Sequence, residues 1–119
     1  MTITRELGNK GEDDVAKWLE GYGFTILARN YSVRAGEIDL IAIRQDLVAF
    51  IEVKTRSTEY FPTSLVVTPS KQRKIIKAAQ WFVLKNNIQD KVLRFDVATV
   101  RYENDRCHIS YIKNAFTKH

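Results

Sequence analysis

The chain reads as an α/β protein, a mixed β-sheet flanked by helices in the order αβββαββ. Three observations predict this. Val15, Trp18, Leu19 and Tyr22 repeat at the spacing of one buried helical stripe, as do Ile75, Ile76, Ala79, Phe82 and Val83. Five other stretches are short, rich in strand formers and bounded by polar or glycine-containing breaks. The second helical pattern separates the third stretch from the fourth, as a helix flanking a sheet requires. At 119 residues, the chain suits a single domain, 1–119, with one hydrophobic core.

The first helix is expected over 5–22, ended by Gly21 and Gly23. Glu12, Asp13 and Asp14 lie towards its positive end, where acids are mildly stabilising. Glu12 also borders the buried stripe, and Gly8 and Gly11 would let the helix approach another element closely. Glu12 is therefore a candidate to point into a site. Residues 24–31 read as a strand with Phe24, Ile26 and Ala28 on one face, and 29–35 as a basic turn or loop. The stretches 37–43 and 47–55 are apolar on both faces, so they belong at the centre of the sheet. An irregular connection with Tyr60, Phe61 and Pro62 follows over 57–67. Thr68 and Pro69 form an N-cap and first position for the second helix, which runs to Asn86 or Asn87. Strands are expected over 92–101 and 106–112, with 113–119 as a frayed tail.

Composition narrows the function classes. Net charge is +5 and the pI about 9.4, which suits a polyanionic partner such as nucleic acid. No apolar run approaches the roughly 20 residues that span a bilayer, so no membrane role is expected. The N-terminal residues lack the apolar core of a signal peptide, and one cysteine, Cys107, excludes an internal disulfide framework. The expected compartment is the cytoplasm.

The informative stretch is 36–56. Asp39, Glu52 and Lys54 lie inside otherwise apolar strands, where charge is costly unless paired, bound to metal or used in chemistry. A two-residue loop at Gln45 and Asp46 makes opposed residues sum to 91. That register sets Asp39 opposite Glu52 and Glu37 opposite Lys54, with all four on one face. Directly opposed residues have Cβ atoms about 4.5–5.5 Å apart. Two carboxylates at that separation repel each other, but can share a divalent cation such as Mg²⁺. Lys54 would orient a water or stabilise developing negative charge. This set suits hydrolysis of a phosphodiester, and the alternative is a buried ion-pair cluster of Asp39 and Glu52 with Lys54 and Arg56.

At these residues the chain resembles known proteins. Asp39, a spacer of twelve residues and then Glu52-Val53-Lys54 resemble the D…(D/E)-x-K signature of restriction-endonuclease-like (PD-(D/E)xK) nucleases. The strings G-E-I-D-L-I, F-I-E-V-K-T-R and R-F-D-V resemble the YraN-type bacterial family, over nearly the whole chain. The resemblance implies a restriction-endonuclease-like fold similar to that of archaeal Holliday-junction resolvases, with one extra strand. It implies Asp39, Glu52 and Lys54 as catalytic residues, Glu12 as a fourth member, and Mg²⁺ or Mn²⁺ held by Asp39, Glu52 and Glu12. Such sequences carry a glycine after an aromatic beyond V-K-T-R. Here Pro62 follows Phe61, so that loop is expected to differ in shape.

The second helix opens with Lys71, Arg73, Lys74 and Lys77. Cations there oppose the helix dipole by about 0.3–1 kcal/mol each, so the choice suits phosphate contacts, with Arg56 extending the patch. Asp96 is expected on the more polar face of its strand, and Trp18 and Trp81 as packing residues. The expected activity is metal-dependent hydrolysis of DNA, including branched or structured DNA, and a symmetric junction would favour a homodimer. Two other classes fit the same features: a non-catalytic nucleic-acid-binding module, and an accessory protein whose basic helix binds an acidic partner.

Overall fold

The computed structural model describes residues 5–56 and 67–117. Helix α1 spans Arg5–Gly21. Strands β1 (Thr25–Val33), β2 (Gly36–Arg44) and β3 (Leu47–Arg56) follow, then helix α2 (Pro69–Lys85) and strands β4 (Val92–Glu103) and β5 (Arg106–Phe116). The fold class and element order are those expected from the sequence. The connection with Tyr60, Phe61 and Pro62 lies outside the described residues.

The five strands form one sheet in chain order, β1-β2-β3-β4-β5. β3 and β4 are parallel and the other neighbours antiparallel. A parallel pair needs a crossover connection, which α2 supplies. The helices cover opposite faces. Val15, Ala16 and Leu19 of α1 pack on Leu40, Ala49, Ile51 and Ala98. Ile75, Ala79 and Phe82 of α2 pack on Ile41, Phe50, Phe95 and Val97. This two-sided burial is why β2 and β3 lack polar alternation.

Gly11 brings α1 onto β3. A Cβ built there would lie 2.2 Å from Thr55 Oγ1, whereas one at Gly8 meets nothing within 4 Å among the described residues. Of the two glycines expected to permit close approach, only Gly11 does so. At the start of α2, Thr68 Oγ1 accepts the Lys71 N–H at 3.2 Å and Pro69 holds the first helical position, as the N-cap pattern predicts.

The structure corrects several expectations. β1 continues through Val33, and only Arg34 and Ala35 form the turn, because Ser32 and Val33 pair with Glu37 and Gly36. A bulge between Ile26 and Ala28 moves Ala28 to the α2 face, away from Phe24 and Ile26. Tyr22 lies beyond the end of α1, is 60% exposed and packs its ring on Trp18. Trp81 sits on the outer side of α2, opposite the packed residues, and is 56% exposed.

Asp96 and β5 are corrected together. Asp96 is fully buried. Its carboxylate accepts two 2.9 Å bonds from the Arg94 guanidinium, one from the Tyr111 hydroxyl and one from the Asn114 N–H at 2.9 Å. It sits where the β4–β5 register shifts between Phe95 and Val97, facing the extra residues of β5. Asn114 there has φ 54°. Satisfying the bulged backbone lets β5 continue to Phe116, which packs on Phe95 with centroids 5.2 Å apart. Residues 113–116 are therefore strand, not frayed tail.

Removing this carboxylate strands a guanidinium, a phenol and an amide. We expect Asp96→Ala to lower stability by about 3–5 kcal/mol and to speed amide exchange over 113–116. Denaturant unfolding and hydrogen exchange measure this. Unchanged stability would contradict the assigned role of Asp96.

Candidate active site

The β2–β3 ladder has the expected register, from Arg44 opposite Leu47 to Leu40 opposite Ile51, across a two-residue turn at Gln45 and Asp46. It stops one step short of Asp39 and Glu52. There the Asp39 side chain takes over, and its Oδ2 accepts the Val53 N–H at 2.8 Å. A side chain thus occupies a place where a backbone carbonyl would continue the ladder.

Sidedness changes at the same point. Ile38 and Ile41, three residues apart, both belong to the cluster under α2, whereas Leu40 and Ala42 lie under α1. On the neighbouring strand, Ala28 and Tyr31 show the same three-residue step, with Asn30 between them at φ 51°. Strict alternation would have put Glu37 beside Asp39. Instead, Glu37 is exposed and lines an open cavity of about 560 Å³ between the β1–β2 turn and the start of α2. The expected four-residue face is interrupted, because alternation breaks at Asp39 between Glu37 and the rest of the set.

Glu52 is 5% exposed in the middle of β3. Its Oε1 lies 2.9 Å from Lys71 Nζ and 3.5 Å from Lys54 Nζ. Alternation from Val48 and Phe50 directs Glu52 and Lys54 to the α2 face, where Lys71 enters from the first turn of the helix. Glu12, on α1, has a buried Oε1 without a hydrogen-bond partner among the described residues. Its neighbours act differently, since Asp13 pairs with Arg29 and Asp14 accepts the Tyr102 hydroxyl at 2.6 Å.

Proton affinities reflect this crowding. Burial, and then the charge of Glu52, push Asp39 up to about 7, against the Val53 N–H. Burial likewise raises Glu12, opposed by an Asn30 hydrogen bond and Arg29, with Asp13 and Glu52 adding to the rise. Burial and the Lys71 ammonium lower Lys54, outweighing Glu52. Burial also disfavours the Lys71 charge, but the hydrogen bond and charge of Glu52 win and raise it. Of the two lysines on Glu52, Lys54 is the one that yields its proton more readily.

Asp39, Glu52, Lys54 and Glu12 thus fall within one electrostatic neighbourhood. The basic residues divide. Lys71 reaches Glu52 instead of facing outward. Arg73, Lys74 and Lys77 are exposed along α2, and Lys74 lines the cavity with Arg34. Arg56, half-buried at the end of β3, pairs across the sheet with Arg101. Sequence reasoning missed Lys71 as a partner of Glu52. A cation in a first helical turn was the available signal, but it points equally to phosphate.

Among the described residues, no three acidic, histidine or cysteine side chains converge as a ready-made cage. Mg²⁺ requires less, because it is commonly held by one or two carboxylates with water and phosphate oxygens completing the shell. Asp39 and Glu52 fit that description, and the unpartnered Glu12 oxygen fits an outer role.

The raised Asp39 predicts a pH signature. Its proton binds the folded protein more tightly than the unfolded chain, so this group's stabilising contribution is full below about pH 4. It is lost as pH rises through about 7. Relative to wild type, Asp39→Asn should therefore gain stability from pH 5 to pH 8. Urea unfolding at both pH values checks this, and a pH-independent difference would refute it.

Comparison with known proteins places the chain. The model of uncharacterised protein family UPF0102 matches residues 11–100. A UPF0102 protein of Geobacter metallireducens is 41% identical over 113 residues, covering 94% of this chain and 93% of that protein. One from Myxococcus xanthus is 38% identical over 113 residues, covering 94% and 90%. One from Caldicellulosiruptor saccharolyticus is 39% identical over 115 residues, covering 94% and 98%. The matched region contains every residue of the Asp39–Glu52–Lys54 neighbourhood, and the chain belongs to the UPF0102 family.

Proposed function

We propose that this chain is a divalent-cation-dependent nuclease that hydrolyses DNA phosphodiester bonds. The observation that carries the reading is the charged group of Asp39, Glu52 and Lys54 at the end of the β2–β3 ladder, with Glu52 95% removed from solvent and both lysines directed at it. Buried ion pairs seldom add net stability, so a group this costly at the centre of a sheet suits chemistry better than structure.

Asp39 and Glu52 would hold Mg²⁺ or Mn²⁺, with Glu12 assisting. The cation would supply Lewis-acid stabilisation of charge on the phosphoryl oxygens. Lys54 is placed by β3 beside Glu52, and its weakened hold on its proton suits it to position an attacking water and exchange a proton with it. The Val53 N–H fixes the Asp39 carboxylate, so the acid needs little reorganisation on loading. Arg73, Lys74, Lys77 and Arg56 would contact the DNA backbone. Such contacts confer affinity without sequence preference and make binding salt-dependent. Branched or structured DNA is the substrate class to test first, given the resemblance to junction-resolving folds.

The test uses purified protein with Mg²⁺ or Mn²⁺ on linear, flapped and four-way DNA. Wild type should cleave at least one substrate, and Asp39→Ala or Lys54→Ala should lower the rate by roughly 10²-fold or more. Absence of cleavage by wild type, or cleavage untouched by both substitutions, would sink the proposal. Salt-dependent binding without cleavage would instead assign a non-catalytic DNA-binding module.

A further inference from the structure

Lys71 is misplaced for either structural role that a lysine in a first helical turn can serve. It opposes the α2 dipole, yet it does not lie free in solvent. Its ammonium reaches the most buried acid of the site, at 2.9 Å, which is closer than Lys54 at 3.5 Å. The two lysines are also held differently. Lys54 belongs to β3 itself, two residues from Glu52, so strand geometry fixes its stem. Lys71 arrives from a separate helix on a flexible stem, and its side chain is 40% exposed against 25% for Lys54. It can leave Glu52 by rotating side-chain bonds, with the Thr68 cap and the helix intact.

It also has somewhere to go. Lys71 lines the cavity of about 560 Å³ that begins beside the site. Among the described residues, Arg34 and Lys74 share that lining, as do Ser32 and Ser70, against the single acid Glu37. Among the described residues, neither Arg34 nor Lys74 holds an ion pair or a side-chain hydrogen bond. A cationic lining with two uncommitted positive groups suits a phosphodiester oxygen.

We infer that Lys71 is a tethered stand-in for the divalent cation, holding Glu52 until the cation takes that carboxylate and then turning to a substrate phosphate in the adjoining cavity. The inference rests on the proposed metal site of Asp39 and Glu52. The exchange is one of ion pairs only. The Lys71–Glu52 pair is replaced by cation–Glu52 and Lys71–phosphate, and no covalent bond changes.

Metal binding without DNA tests this, using Mn²⁺ or Mg²⁺ alone, read by calorimetry and by thermal melts. Lys71→Met removes the competitor, so the cation should bind about tenfold tighter or better. The melting temperature should rise more on loading than in wild type. Lys71→Arg keeps a competing charge and should not tighten binding. Lys71→Gln replaces Lys71→Met if the latter does not fold. With metal present, Lys71→Met should also weaken binding of a short DNA duplex in the Asp39-intact protein. Equal metal affinity in wild type and Lys71→Met, with binding abolished by Asp39→Ala in both, would overturn the stand-in while leaving the metal site standing. No metal binding in any of the proteins would overturn both.

Discussion

The hydrogen bond from the Val53 N–H to the Asp39 carboxylate sets the geometry on which the rest of the site depends. It lies where the β2–β3 ladder ends, and it substitutes a side chain for a backbone acceptor. That substitution brings an acid to the centre of the sheet without leaving the amide unsatisfied. It also turns Asp39 and Glu52 from a flat cross-strand pair into two acids at a point of divergence. The break in alternation at Asp39 and the left-handed Asn30 on β1 belong to the same local event.

Electrostatics at this point are set by burial first and neighbours second. Asp39 and Glu12 both hold protons more tightly than free carboxyls, because desolvation disfavours their charge. Two ammonium groups converge on Glu52, and the pair behaves unequally: the closer lysine is stabilised as a cation and the other is loosened. The inequality follows from one carboxylate serving two cations in a half-buried space.

The second buried acid shows how differently such groups are used. Asp96 is as deep as any residue in the core, yet its oxygens are satisfied by Arg94, Tyr111 and Asn114. It fastens a bulge and extends the last strand. A carboxylate with its oxygens satisfied in this way reads as architecture. Glu12, by contrast, keeps a buried oxygen without a partner among the described residues.

By itself, the sequence determined the order of elements, the two-residue turn and the register of the central hairpin. Periodicity and turn residues are local, and a two-residue loop leaves one pairing that buries both apolar faces. It also marked Asp39, Glu52 and Lys54, since charges within apolar strands stand out without any knowledge of the fold. Tertiary structure decided what these charges meet. Whether Lys71 faces solvent or Glu52 depends on how α2 lies on its face of the sheet, and that is a property of two packed faces rather than of either segment. The break in alternation at Asp39, beyond which Glu37 is exposed, is not something that spacing can reveal. Asp96 became a buried staple only because β5 bulges around it. In each case the deciding contact joins residues distant in the chain, where a local pattern carries no information about the partner.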